Sequence, residues 1–340
     1  MSQKSPVIGV WDDHDYGMND ANKYFLYKEE IKKHYLNFLD EPQNSPRRKE
    51  GDGIYTTYSF GDTNTHKTVR FILLDVRYDK DSLYIDENPD VLGSKQWVWL
   101  EEILKNSNET FIFIASGTQI LPFNRLVTES WFGLSRERLF NLIAKYKKSG
   151  VIILSGDIHM AEILKTFCTN PEIGYDIYEI TSSGMSHYAW FSIFIEHIFA
   201  NDYSITDFVR YYNFAKINFI WGNNSSESKL NVSIIDIDDN LRTSITINYD
   251  DISYKKIDEI LIPGERDCKS KLLTRFKTPN EYLNYYKKYP MTLLPILLLI
   301  TFVFLLIFIG FYVTYLISKF IWYSLLQKKK ISENNEKKKN

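Results

Sequence analysis

Residues 151–160 read VIILSGDIHM, an apolar run that ends in serine and glycine and is followed by an aspartate and a histidine. An unbroken apolar run is typical of a central strand that is covered on both faces. In open α/β sheets, ligands bind at the loops that follow the carboxyl ends of such strands. Asp157 and His159 are therefore candidate metal ligands, because the single residue between them allows both side chains to point the same way.

A second cluster follows an apolar run near the start of the chain. Val7–Trp11 is a predicted strand, and Asp12-Asp13-His14-Asp15 comes directly after it. Four adjacent ionisable groups repel one another unless a cation neutralises them. A sheet brings its strand ends together across long sequence gaps, so we expect this cluster to meet Asp157 and His159 around metal ions. The alternative is a solvated acidic turn that caps a helix predicted from Asp20 to Leu39.

Alternating strand-like and helix-like segments predict an α/β or α+β domain over residues 1–250. β-branched and aromatic residues mark the strands, and a helical period of apolar residues marks the helices. The remaining predicted strands are Gly53–Phe60, Thr68–Leu74, Thr110–Ala115, Asp176–Thr181, Leu230–Ile237 and Leu241–Asn248, and the remaining predicted helices are Ser94–Lys105 and Ser135–Lys148.

The composition argues against several classes of protein. The 340 residues include 41 basic and 43 acidic side chains, and no basic stripe suits nucleic acid. Two cysteines, Cys168 and Cys268, exclude a disulfide framework and a cysteine-rich metal site. The first six residues lack the apolar run of a secretory signal.

A long apolar segment, residues 290–326, predicts one transmembrane helix. Its core, Thr292–Ile317, holds no charged residue and leaves no polar face, unlike the core helix of a soluble domain. Aromatic residues and lysines follow, so we expect a cytosolic basic tail over 327–340 and a main domain that faces a lumen or the outside. Residues 251–289 are a predicted juxtamembrane connector. The alternative topology is a tail-anchored protein with a cytosolic domain.

Six motifs stand out along the chain: Trp11–Asp15 followed by Asn19, Leu74–Arg77, Gly93–Leu100, Ser116–Gln119, Gly156–His159 and Thr181–His187. In this order and spacing they resemble the PhoD-like phosphatases, a branch of the metallophosphoesterases. The similarity covers about Pro6 to Ile247.

The resemblance implies a layered β-sandwich flanked by helices, and hydrolysis of phosphate mono- or diesters with two or more metal ions such as iron and calcium. Zinc or manganese would also suit a mixture of carboxylates and imidazole. By position, the metal ligands would be Asp13, Asn19, Asp157 and His159. His14 would be a general acid or a hydrogen-bond donor to the phosphate.

Two residues leave alternatives open. Arg77 either clamps phosphate oxygens as part of the catalytic site or forms a structural salt bridge with a nearby carboxylate. His187 either approaches the site or is a structural residue that follows a glycine turn.

Family members also carry an earlier strand that ends in Gly-Asp-x-x-Tyr, whose aspartate bridges two metals. The printed sequence does not contain this motif, and Gly61-Asp62 lies in a predicted hairpin and does not replace it. We therefore expect a truncated start and a chain that is inactive by itself. The rival function is a non-catalytic pseudo-phosphatase that acts as a membrane-tethered binding or scaffold module.

Overall fold

The computed structural model describes residues 7–62, 64–82, 85–122, 130–166, 173–188, 203–255 and 294–337. The chain divides into two compact units, Met1–Tyr282 and Leu283–Asn340, and each is described by itself. Most of the predicted connector, from residue 256 onward, lies outside the described residues.

The first unit alternates strands and helices along the described chain. Its helices are α1 (Asp13–Tyr16), α2 (Lys28–Phe38), α3 (Gly93–Asn106) and α4 (Gly133–Lys145). Its strands are β1 (Thr56–Gly61), β2 (Thr68–Leu73), β3 (Phe111–Ala115), β4 (Val151–Ser155), β5 (Ala161–Lys165), β6 (Tyr178–Ser182), β7 (Asn213–Ile220), β8 (Lys229–Asp236) and β9 (Leu241–Asn248).

Six strands form one mixed sheet in the order β1-β2-β3-β4-β6-β5. The four inner strands β2, β3, β4 and β6 run parallel, whereas β1 and β5 pair antiparallel at the two edges. The apolar run of β4 is central, as predicted, and Val151, Ile152 and Ile153 are fully buried. The loops after β2, β3 and β4 therefore leave the same edge of the sheet.

The other three strands form an antiparallel sheet in the order β7-β8-β9. Burial alternates along β8, because Leu230, Val232 and Ile234 face one core shared with the larger sheet. The Phe219 ring lies 5.9 Å from that of Phe113 on β3, which places the two sheets face to face. Helices α3 and α4 bury apolar faces in the same core. The predicted class, a layered sandwich with flanking helices, is confirmed.

Two local predictions were wrong, and two strands were missed. Val7–Trp11 forms no strand, because its contacts are made by side chains and not by a backbone ladder. Asp20 caps no helix; it lies in a turn with φ of 56°, and α2 begins only at Lys28. The strands β5 and β7 were not predicted.

The buried carboxylate of Asp75 joins three segments of the chain. It accepts hydrogen bonds from the Trp11 indole at 2.8 Å and from the Ile54 amide at 2.8 Å. It also accepts the amides of Arg77 and Tyr78, both at 3.0 Å. Hydrogen bonds to a buried charged group are among the stronger ones in proteins. Asp75 therefore fixes the amino-terminal segment against the end of β2.

The described residues of the second unit form one helix, α5, which runs from Leu294 to Lys337. Within it, the 24 residues Leu298–Ile321 are long and apolar enough to cross a membrane, and none of them is buried. The Thr314 hydroxyl bonds the Gly310 carbonyl at 2.6 Å, so this polar group is satisfied inside the helix. The helix continues through most of the predicted basic tail.

Replacing Asp75 with asparagine should lower the free energy of unfolding by about 3 kcal/mol. The variant has an amide nitrogen in place of one carboxylate oxygen, and a nitrogen that carries hydrogens cannot accept the hydrogen bonds that this oxygen accepts now. Urea denaturation followed by tryptophan fluorescence measures the loss. Asp238→Asn, at an exposed position, is the matched control and should change the free energy by less than about 0.5 kcal/mol. Equal stability of the two variants would contradict the role of Asp75.

Candidate metal centre

The loops after β3 and β4 meet at the carboxyl edge of the parallel strands. The Ser116 amide, after β3, bonds the Leu154 carbonyl of β4 at 2.9 Å. The Gly156 amide, after β4, bonds the Gly117 carbonyl at 2.9 Å. These backbone bonds hold the loops in register, so side chains from distant parts of the sequence converge here.

Three carboxylates come together at this edge. Asp12, Asp13 and Asp157 each offer an oxygen, and these oxygens lie within 4.8 Å of one another. Asp13 is buried, and the other two side chains are half-buried. The structure thus brings the predicted ligands Asp13 and Asp157 together and adds Asp12. Sequence reasoning missed Asp12 as a ligand, although it stands in the same acidic run.

The short helix α1 and the turn after it orient Asp13. One carboxylate oxygen accepts the His14 amide at 2.7 Å, and the other accepts the Asp20 amide at 3.0 Å. The predicted ligand Asn19 precedes Asp20 in this turn, and its side chain is exposed. His14 is also exposed on α1, directly beside Asp13.

Asp157 and His159 lie in a strained turn. Their backbone φ angles are 74° and 55°, which residues other than glycine rarely adopt. Because β4 ends at Ser155, strand alternation is not what orients them, and that part of the prediction was wrong. Such backbone strain clusters at functional sites, where the surrounding structure holds it in place.

The His159 side chain is exposed, yet the surrounding protein keeps part of the solvent away from its ring. Desolvation lowers the pKa of His159, the nearby His187 lowers it further, and Asp13 opposes both effects. A lowered pKa favours the neutral imidazole, which is the form that binds metals.

Arg77 contacts the cluster through Asp12. Its Nε donates to an Asp12 oxygen at 2.6 Å, and the Arg77 side chain is fully buried. This contact matches the salt-bridge alternative for Arg77. Gly117 lies on the other side of Asp12, where an added Cβ would stand 2.7 Å from the carboxylate carbon. Arg77 and Gly117 together fix where Asp12 points.

The donors fit a metal ion. Three carboxylates converge here, and Arg77 forms a salt bridge with Asp12; carboxylates packed this closely repel one another, which a cation between them would offset. Carboxylate oxygens with a neighbouring imidazole suit iron, manganese or zinc, and the carboxylates alone suit calcium.

A buried polar network holds the loop after β3. Both oxygens of Glu179 accept amides of this loop, from Ile120 at 2.9 Å and from Leu121 at 2.7 Å. The side-chain amide of Gln119 donates to the Glu162 carboxylate at 2.9 Å and to the Thr181 hydroxyl at 2.8 Å. Sequence reasoning assigned these residues no role. Their bonds keep the loop, and therefore Gly117, in place.

Burial raises the pKa of Glu179 to about 7, against the opposing effect of the two backbone amides. The value in an unfolded chain is about 4.3. Protonated Glu179 therefore stabilises the fold fully below about pH 4, and this stability is lost as pH rises through 7.

Glu179→Gln should remove this pH dependence. The difference in melting temperature between wild type and Glu179→Gln should shift in favour of the wild type as pH falls from 8 to 5. Differential scanning fluorimetry at matched ionic strength measures it. A difference that stays constant over this range would contradict the assignment.

Comparison with known proteins supplies an independent result. A family model for PhoD-like phosphatases matches residues 1–190. The chain is similar to the solved structure of PhoD, with a TM-score of 0.53 and 19% sequence identity. The similar region covers 75% of this chain and 55% of the PhoD chain. A structure of GAP50, described as the anchor in the inner membrane complex of Plasmodium, is 16% identical over 63% of this chain and 58% of that chain, with a TM-score of 0.40.

The likeness to PhoD shows a shared fold, and the likeness to GAP50 carries no argument at that score. The chain spans little more than half the length of either structure. No curated protein matches it.

Proposed function

Because the chain belongs to the PhoD-like phosphatase family, we propose that its function is metal-dependent hydrolysis of phosphate mono- or diesters. The observation that carries the proposal is the convergence of Asp12, Asp13 and Asp157 at one sheet edge. Two distant segments of the sequence meet there, as a polynuclear hydrolytic site requires.

Asp13, Asp157 and His159 would hold the metal ions, with Asp12 beside them and Asn19 as a further ligand from the turn after α1. Iron and calcium are the metals that the family resemblance favours, with zinc or manganese as alternatives. Such ions, when bound, supply Lewis-acid activation of water and neutralise charge on the phosphate.

In this proposal, the exposed imidazole of His14 has a role towards the substrate. What supports it is that His14 adjoins Asp13 on α1 and lies near enough to His159 to lower the pKa of His159. We assign it the donation of a hydrogen bond or a proton to an oxygen of the phosphate ester. Arg77 acts through Asp12: its buried guanidinium holds that carboxylate towards the cluster.

We further propose that the 340-residue chain hydrolyses phosphate esters poorly by itself. Two or more metal ions need more ligands than one ion does, and the described residues bring together one group of three carboxylates. The rival function, a pseudo-phosphatase scaffold, would bind no metal.

We also propose that α5 anchors the protein in a membrane as a single span. The support is an apolar segment of 24 residues with no buried side chain. Lysines beyond it favour a cytosolic tail, with the phosphatase domain in a lumen or outside the cell.

The test of the catalytic proposal compares wild type with Asp157→Asn in the full chain. Wild type should bind Mn²⁺ after reconstitution, and the variant should bind it at least about 10-fold more weakly, because a neutral amide replaces the charged carboxylate. Metal titration by calorimetry measures this, and turnover of an aryl phosphate is recorded in parallel. Asp238→Asn, exposed and distant in sequence, should retain wild-type affinity.

Failure of the wild type to bind Mn²⁺, iron, zinc or calcium would contradict the metal site and favour the scaffold. Bound metal with no turnover even at millimolar substrate would keep the site and exclude independent catalysis.

The membrane proposal is tested by expression in cells. The full chain should stay with the membrane fraction in alkaline carbonate, and a variant lacking residues 290–326 should be released. A mobility shift on glycosidase treatment that disappears in Asn108→Gln would support the lumenal placement, because the exposed Asn108 begins an Asn-Glu-Thr triplet. An absent shift together with a protease-accessible main domain would indicate a cytosolic domain.

A further inference from the structure

The loop after β6 runs beside the candidate metal centre. The His159 amide donates to the Ser183 hydroxyl at 3.1 Å, which ties this loop to the turn after β4. The rings of His159 and His187 lie 5.8 Å apart between centroids, with 30° between their planes. His187 therefore stands next to a proposed metal ligand, although 28 positions separate them in the sequence.

A buried asparagine fixes this loop. Asn213 is only 4% exposed, and its amide bonds the Gly184 carbonyl at 3.0 Å. Its side-chain oxygen accepts the Ser182 hydroxyl at 3.2 Å, and its side-chain nitrogen donates to the Tyr211 carbonyl at 2.7 Å. A Cβ on Gly184 would lie 2.0 Å from that nitrogen, so only glycine fits. These contacts fix the backbone at Gly184, three residues before His187, and so help to set the position of His187.

His187 has the features of a ligand-contacting side chain. It is exposed, so a ligand at the sheet edge can reach it. Its Nδ1 pairs with the Ser186 hydroxyl at 3.1 Å, which orients the ring and directs Nε2 away from that contact. Buried structural histidines do not show this combination of accessibility and orientation.

A phosphate ester at this edge needs hydrogen-bond donors as well as cations, since its non-bridging oxygens carry negative charge. Arg77 is not available for that purpose, because its guanidinium is buried against Asp12. His14 and His187 are exposed, and both influence the electrostatics of His159.

We propose that His187 contacts the phosphoryl group of the substrate through Nε2–H, as a second donor in addition to His14. The inference rests on the proposed phosphatase function and adds a substrate-binding residue to it. His187 would act on phosphate, and not as a ligand of the metal.

The test uses the full chain loaded with Mn²⁺, and inorganic phosphate as the probe. Calorimetry should show about 10-fold weaker phosphate binding in His187→Asn, because one hydrogen bond to a charged group is lost. Mn²⁺ affinity should stay within about 2-fold of wild type. Where aryl phosphate turnover is measurable, KM should rise with little change in kcat, which distinguishes a binding contact in the ester complex from one made only to free phosphate.

Two further variants sharpen the result. His187→Gln places an amide nitrogen near the position of Nε2 and should recover part of the phosphate affinity, which a purely structural role would not predict. His34→Asn changes an exposed histidine on α2 and should leave both affinities unchanged. The imidazole ¹⁵N signal of His187 should also shift on phosphate addition.

Unchanged phosphate affinity in His187→Asn would overturn the proposal while leaving the metal centre intact. A parallel loss of Mn²⁺ affinity would overturn it as well, because His187 would then be a metal ligand. A wild type that binds no Mn²⁺ would overturn the phosphatase function and this inference together.

Discussion

The buried carboxylate of Asp75 is the constraint on which the candidate site depends. It fastens Trp11 and Ile54 to the end of β2, although these residues belong to segments that pair with no neighbouring strand at that point. Two residues later, Arg77 forms a salt bridge with Asp12, one residue beyond Trp11. The contacts of Asp75 and Arg77 thus hold an amino-terminal segment without regular structure as one wall of the candidate metal centre. A charged group buried with several donors is specific in geometry, which suits a site that must hold carboxylates close together.

The opposite wall is built by a different device. The turn after β4 carries Asp157 and His159 with positive φ angles, and neighbouring loops hold this conformation through Gly117 and Ser183. Glu179 in turn fixes the loop that contains Gly117. Repulsion among carboxylates and backbone strain both oppose folding here, and the buried polar network beneath the loops offsets them. Binding of a cation would relieve the repulsion, so metal affinity and stability are coupled at this edge.

The sequence predicts the architecture well where the signal is local. The apolar run of β4 has the predicted bounds, and carboxylates beyond Trp11 and Ser155 come together, although only the second of these segments follows a strand. The strand β7 escaped prediction because outward-facing Phe214 and Ile220 blur its alternation, and β5 because a buried glutamate, Glu162, interrupts its apolar pattern. The conformation of Val7–Trp11 depends on Asp75, 64 residues from Trp11, and no local pattern reports such a contact. For the same reason, the sequence left open whether Arg77 pairs with a carboxylate or contacts phosphate oxygens.

The central claim is that two distant acidic segments share one metal ion. Anomalous diffraction at the manganese edge, from crystals of the Mn²⁺-loaded chain, tests it most directly. The account predicts an anomalous peak about 2.0–2.4 Å from an oxygen of Asp13 and from an oxygen of Asp157. A structure with Mn²⁺ bound elsewhere, or with these two carboxylates turned away from a common ion, would contradict it.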